Sequence, residues 1–171
     1  MTTNWYVIQV PTKKERLVCE RIKDILNRDI YIDCFVPLAE RVYKKDGRVK
    51  IVTRPLFPGY LFIISDQIEQ VYLQIKKVPY FTRVLHADFQ FVPLKRKELE
   101  VFVDFLNHER VMEMSKGYIE GAQVFVTNGP LKGQEGRIKK VNRHKRIAII
   151  ETQFMGKTTT IHVPLEIVSK I

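Results

Sequence analysis

Helical spacing occurs three times in the first two-thirds of this chain and not once after Gly121. Leu17, Val18, Ile22, Ile25 and Leu26 recur at intervals of one, three and four, one face of an amphipathic helix with Lys14, Arg21 and Lys23 outside it. Ile68, Val71, Tyr72 and Ile75 repeat the pattern, and Leu99, Phe102, Val103 and Leu106 do so again. Beyond residue 121 the apolar residues fall instead into four short runs, "QVFVT", "EGRIKKV", "RIAIIET" and "TTTIHVP", separated by turn residues. A chain that loses its helical period at one point and never recovers it holds two architectures in series, and 171 residues suffice for two small domains.

The stretches between the helical segments read as strands. Trp5 to Val10 is a short β-favouring run closed by Pro11, and residues 31–65 are extended. Asp46-Gly47, between "FVPLAERVY" and "KIVTRPLF", is a strong signal for a hairpin turn. "YLFIIS", Tyr60 to Ser65, is apolar enough to be buried on both faces, and residues 82–92 return to strand character. The expected fold class is α+β. Residues 1–111 form an α/β sandwich with helices packed on a mainly antiparallel sheet, 112–121 ("MEMSKGYIEG") form a flexible linker, and 122–171 form a small β-barrel.

Composition narrows the function. The formal net charge is +10, which favours polyanionic partners. Residues 122–171 carry 9 basic and 3 acidic side chains, against 20 and 16 in residues 1–121. Charge that dense repels itself across a small core, so it is expected to serve a partner. No apolar run approaches membrane-spanning length, and "MTTNWYVIQV" has no secretory character, so no membrane association is expected. Cys19 and Cys34 are too few for a disulfide framework; they read as core thiols of a cytoplasmic protein.

The glycines in "NGPLKGQEGRIKKVNRHKRIAII", Asn128 to Ile150, raise the question of a phosphate-cradling loop. Lys132 precedes Gly133 instead of following it, and Gly156-Lys157-Thr158 has Glu151 where the first glycine of a P-loop belongs. Neither stretch leads into a helix. His86, His108, His144 and His162 lack metal-ligand spacing, and no G-x-S-x-G elbow occurs. No catalytic residue, metal ligand or cofactor is assigned. Gly129, Gly133 and Gly136 are expected to serve turns that need a positive φ. Turns do not explain the cations that follow. Arg137 and Lys139 would share one strand face, and "NRHKR" would form a basic hairpin tip suited to a phosphate backbone.

The stretch from Gly121 to Ile149, with its "GPLKG" turn and "G-R-I" strand, resembles a KOW motif. "NWYVIQVPTKKERLVCERI" followed by "RPLFPGYLFI" resembles the N-terminal (NGN) domain of the NusG family of transcription elongation factors, and the resemblance covers nearly the whole chain. It implies an SH3-like C-terminal barrel and a monomer that binds the clamp helices of RNA polymerase. Carried over by position, the polymerase-binding residues are Phe57, Tyr60, Phe62 and, from "VPYF", Phe81. By alternation Tyr60 and Phe62 share one face of a strand and are expected to point outward together.

The strongly basic KOW is most similar to LoaP-type antitermination paralogues, in which the barrel is implicated in recognising a nascent RNA hairpin. The candidate RNA-binding residues are Arg137, Lys139, Lys140, Arg143, His144, Lys145 and Arg146, extended by Lys132 and Lys157. The resemblance also places Lys13, Lys14, Arg16, Lys76 and Lys77 near the non-template DNA strand. The last hairpin tip, Phe154-Met155-Gly156-Lys157, exchanges the aromatic and the methionine of the "M-F-G-R" pattern with which family members touch a ribosomal protein. A general NusG whose barrel binds a ribosomal protein or a termination helicase is the alternative, and a ribosomal KOW protein a more distant one.

Overall fold

The computed structural model describes residues 3–80, 82–84, 86–87 and 90–171. In chain order the elements are β1 (Asn4–Gln9), α1 (Glu15–Ile25), β2 (Asp33–Phe35), β3 (Leu38–Lys45), β4 (Arg48–Pro55), β5 (Tyr60–Ser65), α2 (Ile68–Ile75) and β6 (Arg83–Val84). There follow β7 (His86–Ala87), β8 (Gln90–Phe91), α3 (Arg96–Phe105), β9 (Val111–Met112), β10 (Ser115–Glu120), β11 (Gln123–Asn128), β12 (Ile138–Asn142), β13 (Ile147–Phe154) and β14 (Lys157–Lys170). The fold is mixed α+β, as its sequence pattern predicts. By packing, the chain divides into two compact units, Met1–Pro37 with Phe57–Lys95, and Leu38–Leu56 with Arg96–Ile171.

In the first unit β5 lies inside an antiparallel sheet of order β2-β5-β1-β6. It pairs with β1 from Asn4↔Ser65 to Gln9↔Tyr60 and with β2 from Asp33↔Ile64 to Phe35↔Phe62. Residues opposite one another share a face. One face therefore carries Tyr6, Ile8, Cys34, Leu61 and Ile63, and α1 covers it with Val18, Cys19 and Ile22. The other carries Trp5, Val7, Phe35, Phe62 and Ile64. Because both faces are covered, "YLFIIS" is a continuous apolar run, and every residue of it except Tyr60 is buried. Each such Leu, Ile or Phe contributes about 1.5–3 kcal/mol by leaving water. Ser65, fully buried at the strand end, donates to the Ile30 carbonyl (2.5 Å) and accepts the Gln67 N–H (2.8 Å), which turns the chain into α2.

In the second unit β3 and β4 form a hairpin closed by Asp46-Gly47, whose φ values of 51° and 73° are those of the type I′ turn expected of Asp-Gly. A five-stranded sheet of order β11-β10-β14-β13-β12 makes up most of the rest. Its organising element is the 14-residue β14. Up to Pro164 this strand pairs antiparallel with β13, and from Leu165 it pairs parallel with β10. Pro164, which has no N–H to give a ladder, stands where β14 changes partner.

Residues 112–121, expected as a flexible linker, hold strands instead. β10 sits inside the sheet between β11 and β14, and its two ladders satisfy backbone groups that a linker would leave to water. The aperiodic sequence conceals this because Gly117 lies at a bulge where a Cβ would stand 2.3 Å from the Phe125 carbonyl oxygen. The core face of α3 also differs from the expected Leu99, Phe102, Val103 and Leu106. Val101, Phe102 and Phe105 form its core face with Glu98, while Val103 is 71% exposed. Among the described residues no helix is long and apolar enough to cross a membrane, and no group of three or more His, Cys, Asp or Glu could hold a metal.

Candidate functional site

The basic hairpin is built from short-range bonds. Asn142 pairs with Ile147, so β12 and β13 are joined by Arg143-His144-Lys145-Arg146. The Asn142 carboxamide oxygen accepts the Lys145 N–H (3.0 Å), and Arg146, in the left-handed region at φ 54°, donates its N–H to the Arg143 carbonyl (3.3 Å). The Arg146 carbonyl in turn accepts the Leu165 N–H (3.0 Å), which pins the loop to β14. With its backbone held this way, the loop presents Arg143, His144 and Lys145 to solvent. Arg146 is half-buried, with its guanidinium 3.9 Å from the Glu166 carboxylate.

Lys139 and Lys140 reach solvent for a different reason. Ile138 pairs with Ile150 but Lys140 pairs with Ile149, so Lys139 is the extra residue of a β-bulge. Strict alternation would have turned one of two adjacent lysines inward; the bulge leaves both exposed. Arg137 departs from expectation. It lies in a 3-10 turn, Glu135–Arg137, ahead of the strand, and its guanidinium sits 5.7 Å from the Phe105 ring centre. It also lines a polar cleft of about 400 Å³ with Lys97, Glu100 and Glu151, where cations and anions are balanced.

Not all candidates gather at the tip. The Leu131 N–H donates to Ser115 Oγ (3.0 Å), Ser115 pairs with Leu165, and Leu165 binds the Arg146 carbonyl. The turn carrying exposed Lys132 therefore lies at the same end of the sheet as Arg143–Arg146. Lys157 pairs with Phe154, at the other end of β13. At about 3.3 Å per residue it is about 23 Å from the tip and does not extend the patch.

Gly129 adopts φ 101°, and a Cβ there would fall 2.5 Å from Ser115 Cα; Gly133 adopts φ 80°. Gly136 has neither a positive φ nor a neighbour within 4 Å of an added Cβ, so the turn does not require it. The Glu135 carboxylate accepts the Val126 N–H (3.1 Å), and backbone donors hold its carboxyl below the usual value, its own N–H first and those of Val126 and Gly133 after it. Two more anchors escape sequence reasoning. Glu98, 4% exposed, accepts the Met155 N–H at the last hairpin tip, and Arg41 donates to the His162 carbonyl (2.5 Å). Burial pushes the Arg41 guanidinium down to about 10. Glu98 and Arg41 look like ordinary surface charges in sequence, because only tertiary packing covers them.

The aromatic set falls into two parts. "FPGY" is a β-turn in which the Tyr60 N–H donates to the Phe57 carbonyl (3.2 Å), with Gly59 at φ 86° in the position a type II turn reserves for glycine. Phe57 is 5% exposed and Phe62 is fully buried. The Phe62 ring stacks 5.9 Å from Phe35 and meets Phe57 edge-on at 6.0 Å, and Trp5 meets Phe35 edge-on at 5.4 Å. Phe62 is thus core and does not point outward with Tyr60, which is half-buried. Phe81 lies outside the described residues.

An antiparallel sheet with packed helices, followed by a small all-strand module bearing a glycine turn and a basic hairpin, defines a two-module NGN-plus-KOW architecture. The family model described as transcription termination factor nusG matches residues 3–103, and that of the KOW motif matches residues 120–151. The chain belongs to the NusG family of transcription termination and antitermination factors. It is 24% identical to the transcription termination/antitermination protein NusG of Helicobacter pylori strain J99 over 98% of both chains. It is also 24% identical to that of Thermus thermophilus, over 99% of this chain and all of the relative. A solved structure described as "Domain interaction in Thermotoga maritima NusG" matches with a TM-score of 0.58 at 19% identity, covering 96% of this chain and 94% of that one.

Proposed function

We propose that this NusG-family chain is a non-enzymatic, LoaP-type antitermination factor that binds RNA polymerase with one part and a nascent RNA hairpin with the other. The observation that carries the RNA assignment is the hairpin tip. Arg143, His144 and Lys145 are exposed on a loop whose backbone is already bonded, and the bulge adds Lys139 and Lys140. Preorganised cations lose little freedom on meeting phosphates, and each neutralised phosphate releases counterions. Lysines would neutralise the backbone, while Arg143 would stack on or bond to unpaired bases. Arg137 and Arg146 would contribute less, because their side chains are engaged with Phe105 and Glu166.

The polymerase-binding part would lie within residues 1–111. There Tyr60 offers the contact surface to the clamp helices, and Phe57 and Phe62 belong to the layer behind it. RNA binding by residues 122–171 together with β10 then gains from tethering at the transcribing enzyme, where effective concentration is high. The factor would work in the cytoplasm, as a monomer.

The test is binding of the full chain to the folded leader RNA of the operon beside its gene, against a scrambled hairpin of equal length. Selective binding is expected. Arg143→Ala and Lys145→Ala should each lower the slope of log affinity against log salt by about 0.7–0.9, and Arg146→Ala should lower it less. Equal, weak binding to both RNAs with an unchanged slope overturns the proposal. It would favour a general NusG, as the relatives above are named, with a barrel that binds a ribosomal protein or a termination helicase.

A further inference from the structure

The chain has two cysteines, and the fold brings them together from different elements. Cys19 is on α1 and Cys34 on β2, with their Sγ atoms 3.8 Å apart. We propose that this pair is a redox modification site, closed by hydrogen peroxide into an internal disulfide that ties α1 to β2. A disulfide needs about 2.0 Å between sulfurs. Closure therefore requires the two sulfurs to approach, and α1 already packs on the sheet face that carries Cys34.

The surroundings give the two thiols different parts. Cys34 is fully buried and Cys19 is 6% exposed, so a large disulfide reagent is kept from Cys34 while an oxidant the size of peroxide can reach Cys19. The hydrogen bond from Cys34, assisted by the positive charge of Lys23, holds the Cys19 thiol below its ordinary value. The same hydrogen bond and burial push the Cys34 thiol up. Cys19 is therefore the attacking sulfur and Cys34 the resolving one.

The Cys19 thiolate attacks one peroxide oxygen and the O–O bond breaks. The departing hydroxide takes a proton and leaves as water, and Cys19 becomes a sulfenic acid. The Cys34 sulfur then attacks the Cys19 sulfur, the S–O bond breaks, and the hydroxyl leaves as a second water with the Cys34 proton. Two thiols give up two electrons and two protons, and peroxide is reduced to two waters. The bond closes the loop Glu20–Asp33 and fixes the strand whose next residue, Phe35, stacks on Phe62.

The experiment treats the folded full-length chain with hydrogen peroxide, quenches with acid, denatures it and adds an alkylating agent. Expected is an intact mass lower by about 2 Da, no alkylation of either cysteine, a Cys19–Cys34 linked peptide, and return of both thiols on reduction. In Cys34→Ser the sulfenic acid has no resolving thiol, so Cys19 should be trapped by dimedone. In Cys19→Ser, Cys34 should stay reduced. Full alkylation of both thiols after peroxide, sulfinic acid at Cys19 of the unsubstituted chain, or disulfides only between chains would overturn the proposal. The outcome with the unsubstituted chain decides it even if a serine variant fails to fold.

Discussion

Tyr60 and Phe62 stand two residues apart on one face of β5, and solvent reaches only the first. Alternation puts them on the same side, but it does not say how far cover extends along the strand. Phe35 and Phe57 close over Phe62 and leave Tyr60 at the turn. Truncating the two should therefore act on different quantities. Phe62→Ala empties a packed aromatic site and should cost about 3–5 kcal/mol in chemical denaturation. Tyr60→Ala should cost about 1 kcal/mol or less in the same assay while weakening the affinity for RNA polymerase and leaving RNA binding intact. Unchanged polymerase affinity would remove Tyr60 from the contact.

At the scale of elements, turns decide which side chains can act together. The Gly129–Gly133 turn folds against Ser115 and brings Lys132 to the end of the sheet where the basic tip lies. Glycine is demanded at one of its positions and is incidental at another nearby. Gly129→Ala combines a positive φ with a collision against Ser115 and should cost about 2 kcal/mol or more. Gly136→Ala, in open space at an ordinary φ, should change stability by about 0.5 kcal/mol or less. Thermal melts of the two variants check both, and equal losses would show that the turn differs from the one described. The bulge at Lys139 is a second such device, since it turns two neighbouring lysines outward that a regular strand would separate.

The whole molecule does not break where the periodicity does. The change of pattern after Gly121 invites cutting there, yet β10 lies before that point and pairs with both β11 and β14. A fragment of residues 122–171 loses an interior strand of its sheet and exposes two ladders at once. It should show no cooperative melt by circular dichroism, whereas the full chain should. A cooperatively folded 122–171 fragment would show that β10 is dispensable. The packing of Leu38–Leu56 and Arg96–Ile171 as one unit likewise cuts across the pattern, because β3, β4 and α3 precede the all-strand region.

Much of this was legible in the residues themselves, because local chemistry specifies it. Helical spacing marked α1, α2 and α3, Asp46-Gly47 marked its hairpin, and "YLFIIS" announced a strand covered on both faces. "NRHKR" announced a basic hairpin loop. What remained hidden depends on which surfaces meet. Whether Val103 or Val101 faces the core, whether Phe62 is covered, and whether Arg146 or Glu98 finds a partner are set by residues tens of positions away. The same holds for Cys19 and Cys34, which as a sequence are two core thiols and in the tertiary structure are 3.8 Å apart. Periodicity records the preference of a segment for burial, and only packing supplies the partner that buries it.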